Sequence, residues 1–114
     1  MIKNLGALGA TVLRTDALLI AEAGLRAIDT QRLIRGKVRL ETNPRQLCVG
    51  AEVCSLGGTG RIFVVGVGKC AAAGALALEE ILGEALTGGM VLDVETPKDC
   101  PLKKIKCFSG THPL

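Results

Sequence analysis

The residues best suited to chemistry are Gly66, Gly68, Lys69, Cys70 and Ala71, in the stretch Gly66-Val-Gly68-Lys-Cys-Ala71. Ahead of them, Ile62 to Val67 form an apolar run rich in β-branched side chains. Such a run suits a strand buried on both faces of a parallel sheet. Two glycines interrupt it, and residues 70–82 are dominated by Ala, Leu and Glu, a helical composition. A buried strand, a glycine turn and a helix N-terminus make the first half of a βαβ unit. Unpaired N–H groups and the positive end of the helix dipole converge on the turn, which makes it a natural anion site. Lys69 stands where helix starts favour Ser, Thr, Asp or Asn. A cation there is locally unfavourable without an anion to share the site, so phosphate or a carboxylate is expected.

Two phosphate motifs can be compared with this turn. Gly66-Val-Gly68-Lys-Cys-Ala71 has the form of the G-x-G-x-x-A dinucleotide fingerprint. That fingerprint wants an acid about twenty positions on, at the tip of the second strand; Asp93 comes later and lies inside an apolar run, so the match is weak. The P-loop pattern fails outright, because the positions of its first Gly and of its Ser/Thr hold Phe63 and Cys70.

The elements that must position the turn belong to a small chain. Its 114 residues suffice for one domain or a piece of a larger one, with a modest core. Hydrophobic residues make up 48%, yet there is no Trp or Tyr and only two Phe, so aliphatic side chains and Ala build the interior. The net charge is +3 with scattered carriers, and without aromatics for stacking or a basic stripe nucleic-acid binding is not expected. Five cysteines occur without a CxxC pair and with a single histidine, which excludes the usual structural zinc patterns. Most lie in or beside apolar runs, as reduced cysteines do, and this points to a reducing cytoplasm. Cys100 and Cys107 could bridge, but their spacing does not require it. The N-terminal apolar stretch is broken by glycines and followed at once by a charged helix, unlike a signal peptide. Lys69 interrupts the longest apolar candidate for a membrane span.

Residues 15–40 read as a helical lead-in. A helix is expected from about Thr15 to Ile34, capped by Thr15 or Asp16, with Leu18, Ala21, Leu25 and Ile28 on one face. The Asp29-Thr30 step either ends it or caps a second short helix through Leu33. Arg32, Arg35, Lys37 and Arg39 form a basic cluster best read as a solvated helix end. Asn43-Pro44 signals a turn, and residues 46–56 suggest a hairpin around Gly50. Residues 61–109 hold the βαβ core: strands at 62–67, 90–94 and 105–108 with the helix at 70–82. The fold class expected for residues 1–114 is therefore α/β, a Rossmann-like open and mostly parallel sheet flanked by helices, and here incomplete.

The string Gly60-Arg-Ile-Phe-Val-Val-Gly-Val-Gly-Lys-Cys-Ala-Ala-Ala73, the following Ala-Leu-Glu-Glu-Ile-Leu-Gly, then Gly-Gly-Met-Val and the closing Gly-Thr-His-Pro together resemble the N-terminal part of the glycerate 2-kinases of the MOFRL group. Some members of that group carry the label hydroxypyruvate reductase. Upstream, Ala-Ile-Asp-Thr-Gln-Arg-Leu-Ile and the Val-Gly-Ala-Glu-Val hairpin fall in the family's order, so the resemblance extends over nearly the whole chain from about Thr15.

The resemblance implies ATP-dependent phosphorylation of the 2-hydroxyl of D-glycerate, with Mg²⁺. It places Lys69 in an interdomain active-site cleft, with Gly66 and Gly68 as the flanking glycines. His112 and Pro113 match a Gly-His-Pro segment at the cleft edge, although Thr111 stands where Gly is usual and Cys70 replaces a more usual Ala. Family members are several times longer and have a second domain that supplies an active-site arginine. The resemblance therefore implies an N-terminal fragment with half a cleft, which does not turn over alone. Whether this chain is by itself an enzyme stays open. So do two readings from other classes, a small nucleotide- or dinucleotide-binding module and a non-catalytic interaction domain. An apolar strand edge left open at residues 62–67 leads to a homo-oligomer as the expected state.

Overall fold

A computed structural model describes residues 2–94 and 100–111. After a single helical turn, α1 (Leu5–Leu8), the helix α2 (Val12–Ala27) begins three residues before the expected Thr15. Its cap is Thr11, whose hydroxyl accepts the N–H of Arg14 at 3.3 Å. Thr15 is already inside the helix and donates its hydroxyl to carbonyls of Gly9 and Thr11. Asp29 does cap a second helix, α3 (Thr30–Lys37), by accepting the N–H of Arg32 at 2.8 Å. The helix runs beyond Leu33, with Arg35 and Lys37 in its last turn, where cations complement the dipole.

The face expected from Leu18, Ala21, Leu25 and Ile28 is not covered. No residue of α2 is buried, and Leu19, Ile20, Leu25 and Ile28 are exposed. The helix projects from the body, and the radius of gyration is accordingly 17.9 Å. A compact chain of this length would measure about 13 Å.

From α3 the chain passes into an antiparallel sheet with the order β1-β2-β3, formed by Val38–Thr42, Arg45–Val49 and Glu52–Ser55. The last two strands are the expected hairpin, whereas β1 takes up the basic stretch around Arg39. Its alternating Val38 and Leu40 turn toward the body, and Leu40 pairs with Leu47. The expected turn at Asn43-Pro44 joins β1 to β2 and contains a cis peptide bond. The basic cluster is divided among local partners: Arg35 pairs with Glu80 at 2.8 Å and Arg39 with Glu41 at 3.6 Å.

The second sheet is parallel, with the order β4-β5-β6, from Ile62–Val67, Leu86–Asp93 and Ile105–Ser109. The helix α4 (Ala71–Leu82) crosses between β4 and β5 and packs on one face. Val64, Ala75, Leu82, Leu86, Val91 and Ile105 form the core between sheet and helix, joined by Leu40 and Leu47 from the antiparallel sheet. The architecture is a mixed α/β fold with two open sheets.

The strand at 62–67 has the expected bounds but is buried on one face only. Val64 points to α4, while Phe63, Val65 and Val67 are 57%, 73% and 77% exposed. Side chains alternate across a strand, and among the described residues only one helical layer lies against this sheet. Met90, Leu92 and Phe108 continue the same uncovered apolar face.

Candidate functional site

The turn between β4 and α4 stands at the C-terminal ends of the parallel strands. In open α/β sheets ligands bind in the crevice outside those ends. Gly66 lies inside β4 and faces the helix. A Cβ there would meet Val91 Cγ1 at 3.0 Å and Ala71 Cβ at 3.4 Å, so this glycine permits close packing of strand and helix. Gly68 has φ +124°, a conformation side chains disfavour, and it turns the chain out of the strand. Its N–H donates to Leu92 at 2.9 Å, and its carbonyl accepts the N–H of Ala71 at 3.0 Å. The turn is thus fastened to β5 on one side and to its own helix on the other.

Cys70 occupies the cap position of α4, exposed and without a side-chain capping bond. The cap comes instead from the adjacent strand. Asp93, at the end of β5 and only 5% exposed, accepts the N–H of Ala72 at 2.9 Å through one oxygen. Its other oxygen accepts the N–H of Val94 at 2.7 Å. A buried carboxylate is costly unless its oxygens are hydrogen-bonded, and here both are, at the positive end of a helix. Part of the anion that the cation-bearing helix start calls for is therefore internal. The backbone N–H groups of Lys69 and Cys70 have no partner among the described residues.

Lys69 is exposed and makes no ion pair or hydrogen bond among the described residues. Its side chain borders an open cleft of ≈ 560 Å³, lined by Val67, Gly68, Lys69, Asp93, Gly110 and Thr111 among others. A smaller depression of ≈ 340 Å³ on the helix side of Lys69 reaches Gln31. The structure brings together Gly68, Lys69, Cys70 and Ala71 at one turn, with Gly66 just beneath it. His112 and Pro113 lie outside the described residues, although Thr111 before them is at the cleft. Sequence reasoning missed the capping role of Asp93, and the signal was there: a lone carboxylate in a buried strand needs donors. Gln31 and Gly110 carried no such signal.

Among the described residues no group of three or more His, Cys, Asp or Glu could hold a metal ion, and no helix is long and apolar enough to cross a membrane. No match is found among curated proteins or among solved structures. Residues 16–114 match the family described as Domain of unknown function (DUF4147), and the chain belongs to that family.

Proposed function

We propose that this chain forms the anion-holding half of a glycerate kinase cleft, for ATP-dependent phosphorylation of D-glycerate to 2-phosphoglycerate. The observation that carries the reading is Lys69, without a partner among the described residues, at a helix N-terminus on the C-terminal edge of a parallel sheet. The matched family, an N-terminal domain of glycerate kinase-like proteins, agrees with it. Phosphoryl transfer depends on positioning and charge neutralisation more than on covalent chemistry by the protein. Lys69 Nζ supplies a mobile cation, and the N–H groups of Lys69 and Cys70 supply fixed donors beside it. The oxygen they hold belongs to the phosphoryl group or to the glycerate carboxylate. ATP brings the phosphoryl group, and Mg²⁺ arrives with its phosphates. The described residues do not offer a ligand set for that ion, since both oxygens of Asp93 are occupied by backbone donors. None of them is assigned to the metal.

The same geometry argues against a dinucleotide site. A fingerprint acid must present its carboxylate to a ribose, whereas Asp93 is buried and engaged with Ala72 and Val94. On this reading the chain binds ATP and does not turn over glycerate alone, because the uncovered face of Phe63, Val65 and Val67 awaits a second layer. Calorimetric titration with ATP, NADH and glycerate checks it. Binding of ATP or glycerate without binding of NADH is expected. Preferential binding of NADH would favour the dinucleotide module, and no binding of any of the three would favour a non-catalytic interaction domain.

A further inference from the structure

The strand β6 and the segment entering it carry two thiols that the proposed cleft does not use. Cys100 and Cys107 are both free and half-buried, and their sulfurs are hydrogen-bonded at 2.7 Å. The remaining cysteines are apart from them: Cys48 is buried in β2, Cys54 exposed on β3 and Cys70 exposed at the glycine turn. Cys107 is opposite Val91 in the parallel register and packs against the core on the α4 side. The chain between the two thiols is held in place. Glu79 on α4 accepts the N–H groups of Lys103 and Lys104 at 2.7 and 3.2 Å, and Leu102 packs against the core. Lys104 Nζ adds a bond to the Gly83 carbonyl at 3.1 Å. The approach of the sulfurs is therefore set by the anchored backbone of Leu102 to Lys104 between them and by the pairing of Cys107 in β6.

We propose that Cys100 and Cys107 form a reversible oxidation site, closing an intrachain disulfide by exchange with a small-molecule disulfide. The Cys100 sulfur gives up its proton and attacks one sulfur of the small disulfide, whose S–S bond breaks. One small thiol leaves with a proton, and a mixed disulfide remains on Cys100. Cys107 then gives its proton to solvent and attacks the Cys100 sulfur, releasing the second small thiol. Two protein thiols are oxidised to one disulfide, and one small disulfide is reduced to two thiols. The order of attack follows from the environment. Burial, then the hydrogen bond and charge of Cys100, then the nearby carboxylates of Asp93 and Glu79, push the Cys107 thiol up to about 11. Cys107 thus holds its proton more firmly and is the poorer first nucleophile, which leaves Cys100 as the attacking sulfur. The bridge ties the entry of β6 to its middle and restricts the unfolded chain more than the folded one.

The test treats the reduced full chain with oxidised glutathione and follows it by tryptic mapping and thermal unfolding. Trypsin cuts between the two cysteines at Lys103, Lys104 and Lys106, so a bridge appears as two joined peptides. The expected result is that joined pair, its loss on adding dithiothreitol, and a rise of roughly 5–10 °C in the unfolding midpoint of the bridged chain. Cys107→Ser is expected to trap glutathione on Cys100, having no resolving thiol. Recovery of Cys100 and Cys107 as free thiols would overturn the proposal. So would glutathione retained on Cys100 in the unsubstituted chain, or an unchanged midpoint in a chain whose peptides are joined.

Discussion

Asp93→Ala lowers the unfolding free energy by about 2–4 kcal/mol, the sum expected for losing a helix cap and leaving a buried N–H without a partner. The carboxylate joins the end of β5 to the first turn of α4 through Ala72, twenty-one residues away in sequence. Its loss removes the acceptor of Ala72 and of Val94 together, and the N–H of Ala72 is buried. Asp93→Asn keeps one carbonyl oxygen for Ala72 but turns an NH₂ toward the N–H of Val94, or the reverse. It is expected to fall between the alanine variant and the parent. Urea denaturation measures all three, with Arg39→Ala as an exposed control that changes stability by less than about 0.5 kcal/mol. An alanine variant as stable as the parent would show that the strand-to-helix tie does not hold the turn.

Much of the βαβ core was legible because its signals are local. The strand at 62–67 has the bounds read from its apolar run, the helix starts one residue later than expected, and the third strand ends one residue later. Other elements depended on partners that no local pattern names. Thr87-Gly-Gly reads as a turn, yet it lies within β5, where a side chain on Gly89 would land on the Val64 carbonyl. The glycine is required by the close approach of β4, which only the paired strands reveal. Likewise β1 was hidden at the end of a basic stretch, because Lys37 and Arg39 flank Val38 while Val38 and Leu40 do the packing. At the site, the glycine turn and Lys69 followed from residue type and order. The internal anion did not, since a carboxylate twenty-one positions away becomes a cap only through sheet register.

The second large effect concerns assembly. We expect the chain to associate with copies of itself at micromolar concentration, giving a dimer or larger species by multi-angle light scattering. Among the described residues β4 pairs only with β5, so its outer edge presents a row of backbone donors and acceptors. Such an edge templates pairing with another strand, and an identical β4 is the partner always present. Beside that edge lie Phe63, Val65 and Val67, continued by Met90, Leu92 and Phe108. Burying such a face contributes about 25 cal/mol for each Å² of apolar surface removed from water. Val65→Lys tests the geometry without disturbing the core, because Val65 faces away from α4. A charge there is expected to shift the chain toward monomer with little change in stability. A monomeric parent, or a lysine variant that associates as strongly, would contradict assembly through this edge.

If the turn at Gly68 to Ala71 holds an anion with Lys69, amide NMR during titration with phosphate and ATP will register it. Shifts are expected at the amides of Lys69 and Cys70 above all, whose N–H groups are unpaired among the described residues. Gly68 and Ala71, already bonded to Leu92 and to the turn itself, are expected to move less. Lys69→Ala should weaken ATP binding about tenfold or more, corresponding to one charge-assisted contact of about 1.5–3 kcal/mol. The dispersion of the remaining amides should stay that of the folded parent, since the side chain is exposed and fills no core. Equal ATP affinity in the parent and in Lys69→Ala, or shifts elsewhere with none at residues 68–71, would contradict the claim.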